Sequence, residues 1–139
     1  MTTTMKFITE NIFLIAIAFV SGAMLVWPLM RRGVGGAAVG TLEATMLINQ
    51  KDAIVLDVRE SAEFAQSHIL NSRNIPLGEV EARRKELERY REKPVIVACA
   101  TGNRSGSAAA MLRKHGFTGA VNLAGGIAAW QQAGLPTVK

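Results

Sequence analysis

Nineteen consecutive residues without a charged side chain, Ile12 to Met30 (IFLIAIAFVSGAMLVWPLM), constrain this chain more than any other feature. As a helix they would extend about 28 Å, close to the hydrocarbon thickness of a bilayer. A soluble domain seldom needs a helix that is apolar on every face. Residues 1–32 therefore read as an amino-terminal transmembrane anchor. Two other readings compete: a cleaved signal peptide, with Ser21-Gly22-Ala23 as a small-residue cleavage site, and a buried core helix. Against the signal peptide, Lys6 is offset by Glu10, and the apolar run continues past Ala23 to Trp27 and stops at Arg31-Arg32. Trp27 suits the headgroup level, with the two arginines just beyond it. The positive-inside tendency weighs Arg31 and Arg32 against Lys6 and predicts a single-pass inner-membrane protein whose remaining chain faces the cytoplasm. Ala18 and Gly22 form a small-xxx-small pair of the kind that packs helices together, so a membrane-protein partner is a further expectation.

The net charge of +5 is less informative than its distribution. Beyond Gly33 there are thirteen basic and ten acidic side chains, and the densest stretch, Arg83 to Lys93, interleaves Glu86, Glu88 and Glu92. Such a mixed run is a solvated helix face. A nucleic-acid surface would need a one-signed patch with interleaved aromatics, and neither is present. A single cysteine excludes an intramolecular disulfide and fits a reducing compartment.

Gly33 to Gly40 (GVGGAAVG) is small and glycine-rich and reads as a 33–40 Gly/Ala-rich linker. Residues 41–139 then form one domain, large enough for a modest core without disulfides or metals. Thr41 is a candidate N-cap for a first helix carrying Leu42, Met46 and Leu47. Ala53 to Val58 and Pro94 to Ala98 are short apolar runs rich in β-branched residues, as in strands covered on both faces. Helices are expected over Ala62–Gln66, Glu79–Arg91 and Ser105–His115, the last closed by Gly116. A final strand spans Ala120–Leu123, and Gly125-Gly126 turns into a helix carrying Trp130. Strands alternating with helices predict an α/β fold with a mainly parallel central sheet flanked by helices.

In such folds ligands bind where loops leave the carboxyl ends of strands. Cys99 occupies such a place, followed by Ala100, Thr101, Gly102, Asn103, Arg104 and Ser105. Successive N–H groups curling around a point make an anion-binding concavity, and the following helix adds partial positive charge. That environment lowers a thiol's pKa and would equally stabilise a persulfide anion on the same sulfur. The alternative is a small cysteine buried at the end of a core strand. His68, His115 and Cys99 are too few to hold a metal, so neither metal nor cofactor is expected.

Several motifs in order resemble the rhodanese family: Leu56-Asp57-Val58-Arg59-Glu60, Glu63-Phe64, His68-Ile69, Asn74-Ile75-Pro76-Leu77, the loop from Cys99 to Ser105, and Leu123-Ala124-Gly125-Gly126-Ile127 with Trp130. With the preceding apolar segment, the chain is similar to the membrane-anchored, single-domain rhodaneses of bacteria. One departure is Ser67, which stands before His68 where the family usually has glycine. The resemblance implies a rhodanese-like domain and a persulfide shuttle. Cys99 would take the outer sulfur of thiosulfate or a similar small donor and pass it to a thiol acceptor in two half-reactions. Arg104 and the N–H groups from Ala100 to Arg104 would hold the donor. Asp57 and Arg59 would either organise the site or form a structural ion pair.

Two other functions compete with this one. Related folds use a cysteine–arginine loop for phosphate or arsenate chemistry, but there five residues separate the pair and here four do. A non-catalytic docking module at the membrane is the other alternative.

Overall fold

The computed structural model describes residues 2–34 and 38–139, with side chains described for residues 2–28 and 38–139. Gly35 to Ala37, in the middle of the expected linker, lie outside the described residues, as do the side chains of Arg31 and Arg32. The chain divides into two compact units, residues 1–34 and 35–139.

The first unit holds two helices, α1 (Thr2–Glu10) and α2 (Ile12–Val34). Among the described residues no single helix is long and apolar enough to cross a membrane. Thr2–Glu10 and Ile12–Pro28 pass that test only as a pair, bent by 70°. The bend falls at Asn11. Its side chain donates to the Phe7 carbonyl at 2.9 Å, and the Thr9 hydroxyl bonds back to Met5 and Lys6. Side chains that compete in this way for helix carbonyls bend the helix.

The second unit is built on a five-stranded sheet ordered β1-β6-β5-β2-β4, with every strand pair parallel. Its strands are β1 (Ala38–Val39), β2 (Ile54–Asp57), β4 (Arg73–Asn74), β5 (Val95–Ala98) and β6 (Ala120–Leu123). The helices are α3 (Thr41–Lys51), α4 (Ser61–Gln66), α5 (Asn103–Lys114) and α6 (Gly126–Gln132). The central strand β5 (VIVA) is apolar and buried along its whole length because both faces of the sheet are covered. Alternation along β5 sends Val95, Val97 and Cys99 into one core cluster with Ala108, Ala109 and Leu112 of α5. Ile96 and Ala98 enter the other, with Val55, Ile127 and Trp130. Cys99 thus continues the α5 side of the sheet, because side chains on a strand alternate faces with a period of two.

Several local expectations are corrected. Thr41 is the first residue of α3 rather than its cap. Gly40 is the N-cap and offers no side-chain bond. Ala38 and Val39, inside the stretch read as linker, pair with Asn122 and Leu123 as an edge strand. The charged segment expected as one helix over Glu79–Arg91 forms 3₁₀ turns at Leu77–Glu79 and Arg84–Tyr90. Only Leu87 on the second turn is buried, so a long regular helix would gain little packing there. A two-stranded antiparallel ribbon, β3 (His68–Ile69) with β7 (Thr137–Val138), was not expected and fastens the carboxyl terminus. Both of its strands are too short to leave a period in the sequence.

Candidate active site

The site forms at the carboxyl ends of β2, β5 and β6. The register sets Asp57 beside Ala98 and Val97 beside Asn122, so the loops after these three strands leave side by side. Cys99 follows β5 directly and is 1% exposed. The Gly102 N–H donates to its Sγ at 3.0 Å, and the Ser105 hydroxyl lies 3.2 Å from the same sulfur.

The loop can curl because Gly102 adopts φ +98, which is open to glycine and strained for other residues. It is held from behind by the start of α6. There the Ile127 N–H donates to the Cys99 carbonyl at 2.8 Å and the Ala128 N–H to the Ala100 carbonyl at 3.1 Å. With those carbonyls bonded to α6, the backbone N–H groups of Thr101, Gly102 and Ser105 are left to serve the sulfur. Gly126 makes the approach feasible, since a Cβ there would collide with the carbonyls of Cys99 and Ala100. The expected helix start at Ser105 moves to Asn103, with Gly102 as N-cap. The first turn of α5 therefore lies under the sulfur.

Burial pushes the Cys99 thiol up. Hydrogen bonding from the Ser105 side chain and from the backbone at Ser105, Thr101 and Gly102 more than offsets this, and the pKa falls below the ordinary thiol value. The Ser105 oxygen is also 2.5 Å from Asn122 Oδ1, while Asn122 Nδ2 donates to the Gly102 carbonyl at 3.0 Å. A hydroxyl carries one proton, so Ser105 donates either to sulfur or to Asn122. A charged sulfur is the stronger acceptor. Ser105 and Asn122 were not among the expected site residues. The signal for Asn122 was a polar residue inside the short strand AVNL, and that for Ser105 was its place right after Arg104.

Ala100 and Thr101 stand in the loop, whereas Asn103 and Arg104, expected there too, form the first turn of α5. Thr101 and Asn103 are exposed, and Ala100 and Arg104 are partly buried. The Arg104 guanidinium does not stand unpaired over the cysteine. It makes a two-pronged ion pair with Glu63 of α4, Nη1 to Oε1 at 3.0 Å and Nη2 to Oε2 at 3.1 Å. The hydrogen bond from Arg104 lowers the Glu63 pKa despite a smaller opposing effect of burial.

Asp57 and Arg59 are both buried and bond to each other at 2.7 Å, and Arg59 also donates to the Ser67 carbonyl at 2.6 Å. Among the described residues every side-chain hydrogen bond of Arg59 goes to Asp57 or Ser67, so the pair braces the β2–α4 segment rather than touching Cys99. Asn74 completes the brace through the carbonyls of Asp57 and Arg59. Ser67 sits at φ −166, an extended conformation open to any residue, so glycine is not required there. The His68 ring stacks on Phe64 with its Nδ1 2.8 Å from the Phe64 carbonyl, a structural role. Among the described residues no group of three metal-ligating side chains converges.

Fold and loop together define an α/β domain that holds one cysteine sulfur at the start of a helix, within reach of the Gly102 N–H and the Ser105 hydroxyl. Residues 41–133 match the family model described as rhodanese-like domain. This chain belongs to that family. An uncharacterised Synechocystis protein, slr1261, is 42% identical over 93 residues, which cover 66% of this chain and 51% of the relative. The chain thus spans about half of that protein's length. A protein of Allochromatium vinosum named sulfurtransferase is 36% identical over 92 residues, covering 66% of this chain and 84% of the relative. Among solved structures, a rhodanese-related protein from Thermoplasma volcanium superposes with a TM-score of 0.65 at 39% identity, covering 73% of this chain and 97% of that one.

Proposed function

We propose that this protein is a sulfurtransferase that carries a sulfane sulfur as a persulfide on Cys99. The observation that carries this reading is the sulfur's environment: one backbone N–H at 3.0 Å, one hydroxyl at 3.2 Å, and a helix beginning beneath it. These groups stabilise negative charge on sulfur whether the atom is the thiolate or the inner sulfur of a persulfide. In the first half-reaction the Cys99 thiolate attacks the outer sulfur of thiosulfate or an organic persulfide. A new S–S bond forms, the donor's S–S bond breaks, and sulfite or a thiolate leaves. In the second, an acceptor thiolate takes the outer sulfur and returns Cys99 to its starting state. Backbone N–H groups from Ala100 to Arg104 supply the cradle. Asp57 and Arg59 hold the neighbouring segment in place without entering the chemistry.

The apolar α2 supports a second part of the reading, an inner-membrane anchor with the catalytic domain on the cytoplasmic side. Phe13, Phe19, Met24 and Leu25 are each more than 70% exposed on that helix. So much apolar surface calls for lipid or another protein around it. A membrane-protein partner for the anchor, and a thiol acceptor on the cytoplasmic side, follow from the same placement.

Intact mass spectrometry of the full-length protein in detergent, after incubation with thiosulfate or cysteine persulfide, tests the chemistry. A gain of one sulfur that is reversed by a reducing thiol and absent in Cys99→Ser supports the persulfide. No gain with either donor, in folded protein with a free thiol, rejects it and favours a docking module.

A further inference from the structure

Arg104 is the charged side chain of the Cys99 loop itself, and the structure commits that charge elsewhere. Glu63 takes both prongs of the guanidinium. Glu63 is itself fixed on the first turn of α4, where its carboxylate reaches back toward the Glu60 N–H in a capping box. Arg104 feels the charges of Glu63, Cys99 and Glu60, and Glu63 feels that of Arg59. Arg59 is in turn matched by buried Asp57. Arg104 with Glu63 and Arg59 with Asp57 cancel, which leaves Glu60 and the Cys99 thiolate, both negative. An approaching donor therefore meets a rim with no surplus of positive charge. Thiosulfate carries two negative charges spread over its outer sulfur and three oxygens, whereas an amino-acid persulfide in its –S–SH form, with one ammonium and one carboxylate, carries no net charge.

We propose that Glu63, by neutralising Arg104 beside the Cys99 loop, is a specificity-determining residue that turns the site away from dianionic donors and toward low-molecular-weight organic persulfides of low net charge. This rests on the sulfur-transfer reading above. In the favoured half-reaction the Cys99 thiolate attacks the terminal sulfur of R–S–SH. The Cys99 S–S bond forms, the donor's S–S bond breaks, the proton stays on the transferred sulfur, and R–S⁻ leaves and is protonated by water. Atoms and charge balance with no other reactant. Glu63 touches neither sulfur and acts through Arg104.

The test measures the rate of sulfur gain on Cys99 in full-length protein with thiosulfate and with cysteine persulfide. It compares the wild type, Glu63→Gln, and Glu63→Gln combined with Arg104→Gln. Glu63 and Arg104 are both partly exposed, so neither change removes a core contact. In Glu63→Gln the thiosulfate-to-persulfide rate ratio rises on the order of tenfold, as expected for removing one charge near the site. In about 1 M salt most of that gain disappears. The double variant restores the original rim charge and returns the ratio toward the wild type. A merely structural ion pair would slow both donors together and leave the ratio unmoved, and that result overturns the inference alone. No sulfur on Cys99 from either donor overturns the sulfur-transfer reading and this inference with it.

Discussion

At the scale of single residues, the decisive atom is one sulfur whose surroundings were partly legible and partly not. A cysteine followed by a glycine and an arginine at the end of an apolar run pointed to an anion cradle. The structure supplies that cradle through the Gly102 N–H and the Ser105 hydroxyl. The sequence put Arg104 in the loop but carried no sign of its ion pair, because Glu63 lies 41 residues away and only the fold brings α4 to the loop. The role of Ser105 leads to a prediction. The alkylation rate of Cys99 against pH has its midpoint below that of an ordinary thiol, in line with its lowered pKa. Ser105→Ala removes a hydrogen bond that favours the thiolate, so the midpoint moves up. At any pH below the shifted midpoint the thiolate fraction and the rate fall, on the order of tenfold for one charge-assisted bond. Iodoacetamide kinetics from mildly acid to alkaline pH check both. An unmoved midpoint would show that the backbone N–H groups alone hold the thiolate.

At the scale of elements, the Asp57–Arg59 pair shows how a local motif becomes a tertiary brace. Two positions apart in sequence, the two were read either as organisers of the site or as a structural ion pair, and their hydrogen bonds fit the second role. Asp57 is 0% and Arg59 6% exposed, so the pair is desolvated and each member depends on the other. Asp57→Asn leaves the guanidinium buried without its counter-charge and is expected to destabilise the domain by about 3–5 kcal/mol. Urea unfolding followed by circular dichroism measures this. A loss below about 1 kcal/mol would show that water reaches Arg59, since exposed pairs contribute no more than that. The 3₁₀ turns at Arg84–Tyr90 make the complementary point. Their charged composition reads as helix, but Leu87 alone is buried, and without an apolar stripe the segment has little to hold it in a regular α-helix.

At the scale of the whole molecule, the chain joins an exposed apolar helical unit to a rhodanese-like domain. If the first unit is an anchor, alkaline carbonate leaves the full-length protein in the membrane pellet, and a shortened chain beginning at Gly33 moves to the supernatant. Release of the full-length protein by carbonate would reject the anchor. Protease added to spheroplasts reads the orientation, and a cytoplasmic domain stays intact until the inner membrane is opened.

The sequence by itself determined the α/β class, the two central strands and the helix that starts after Cys99. Each of these rests on local signals, namely apolar runs, periodicity and the glycines at 102, 116 and 125–126, whose positive φ values follow from having no side chain. Tertiary structure alone decided the edge strand at Ala38–Val39, the β3–β7 ribbon, the Ser105–Asn122 contact and the pairing of Arg104 with Glu63. Two-residue strands and side-chain partners distant in the chain leave no periodic trace. Their bonds exist only once the sheet has set the carboxyl ends of β2, β5 and β6 side by side, which fixes both where the sulfur sits and how much charge surrounds it.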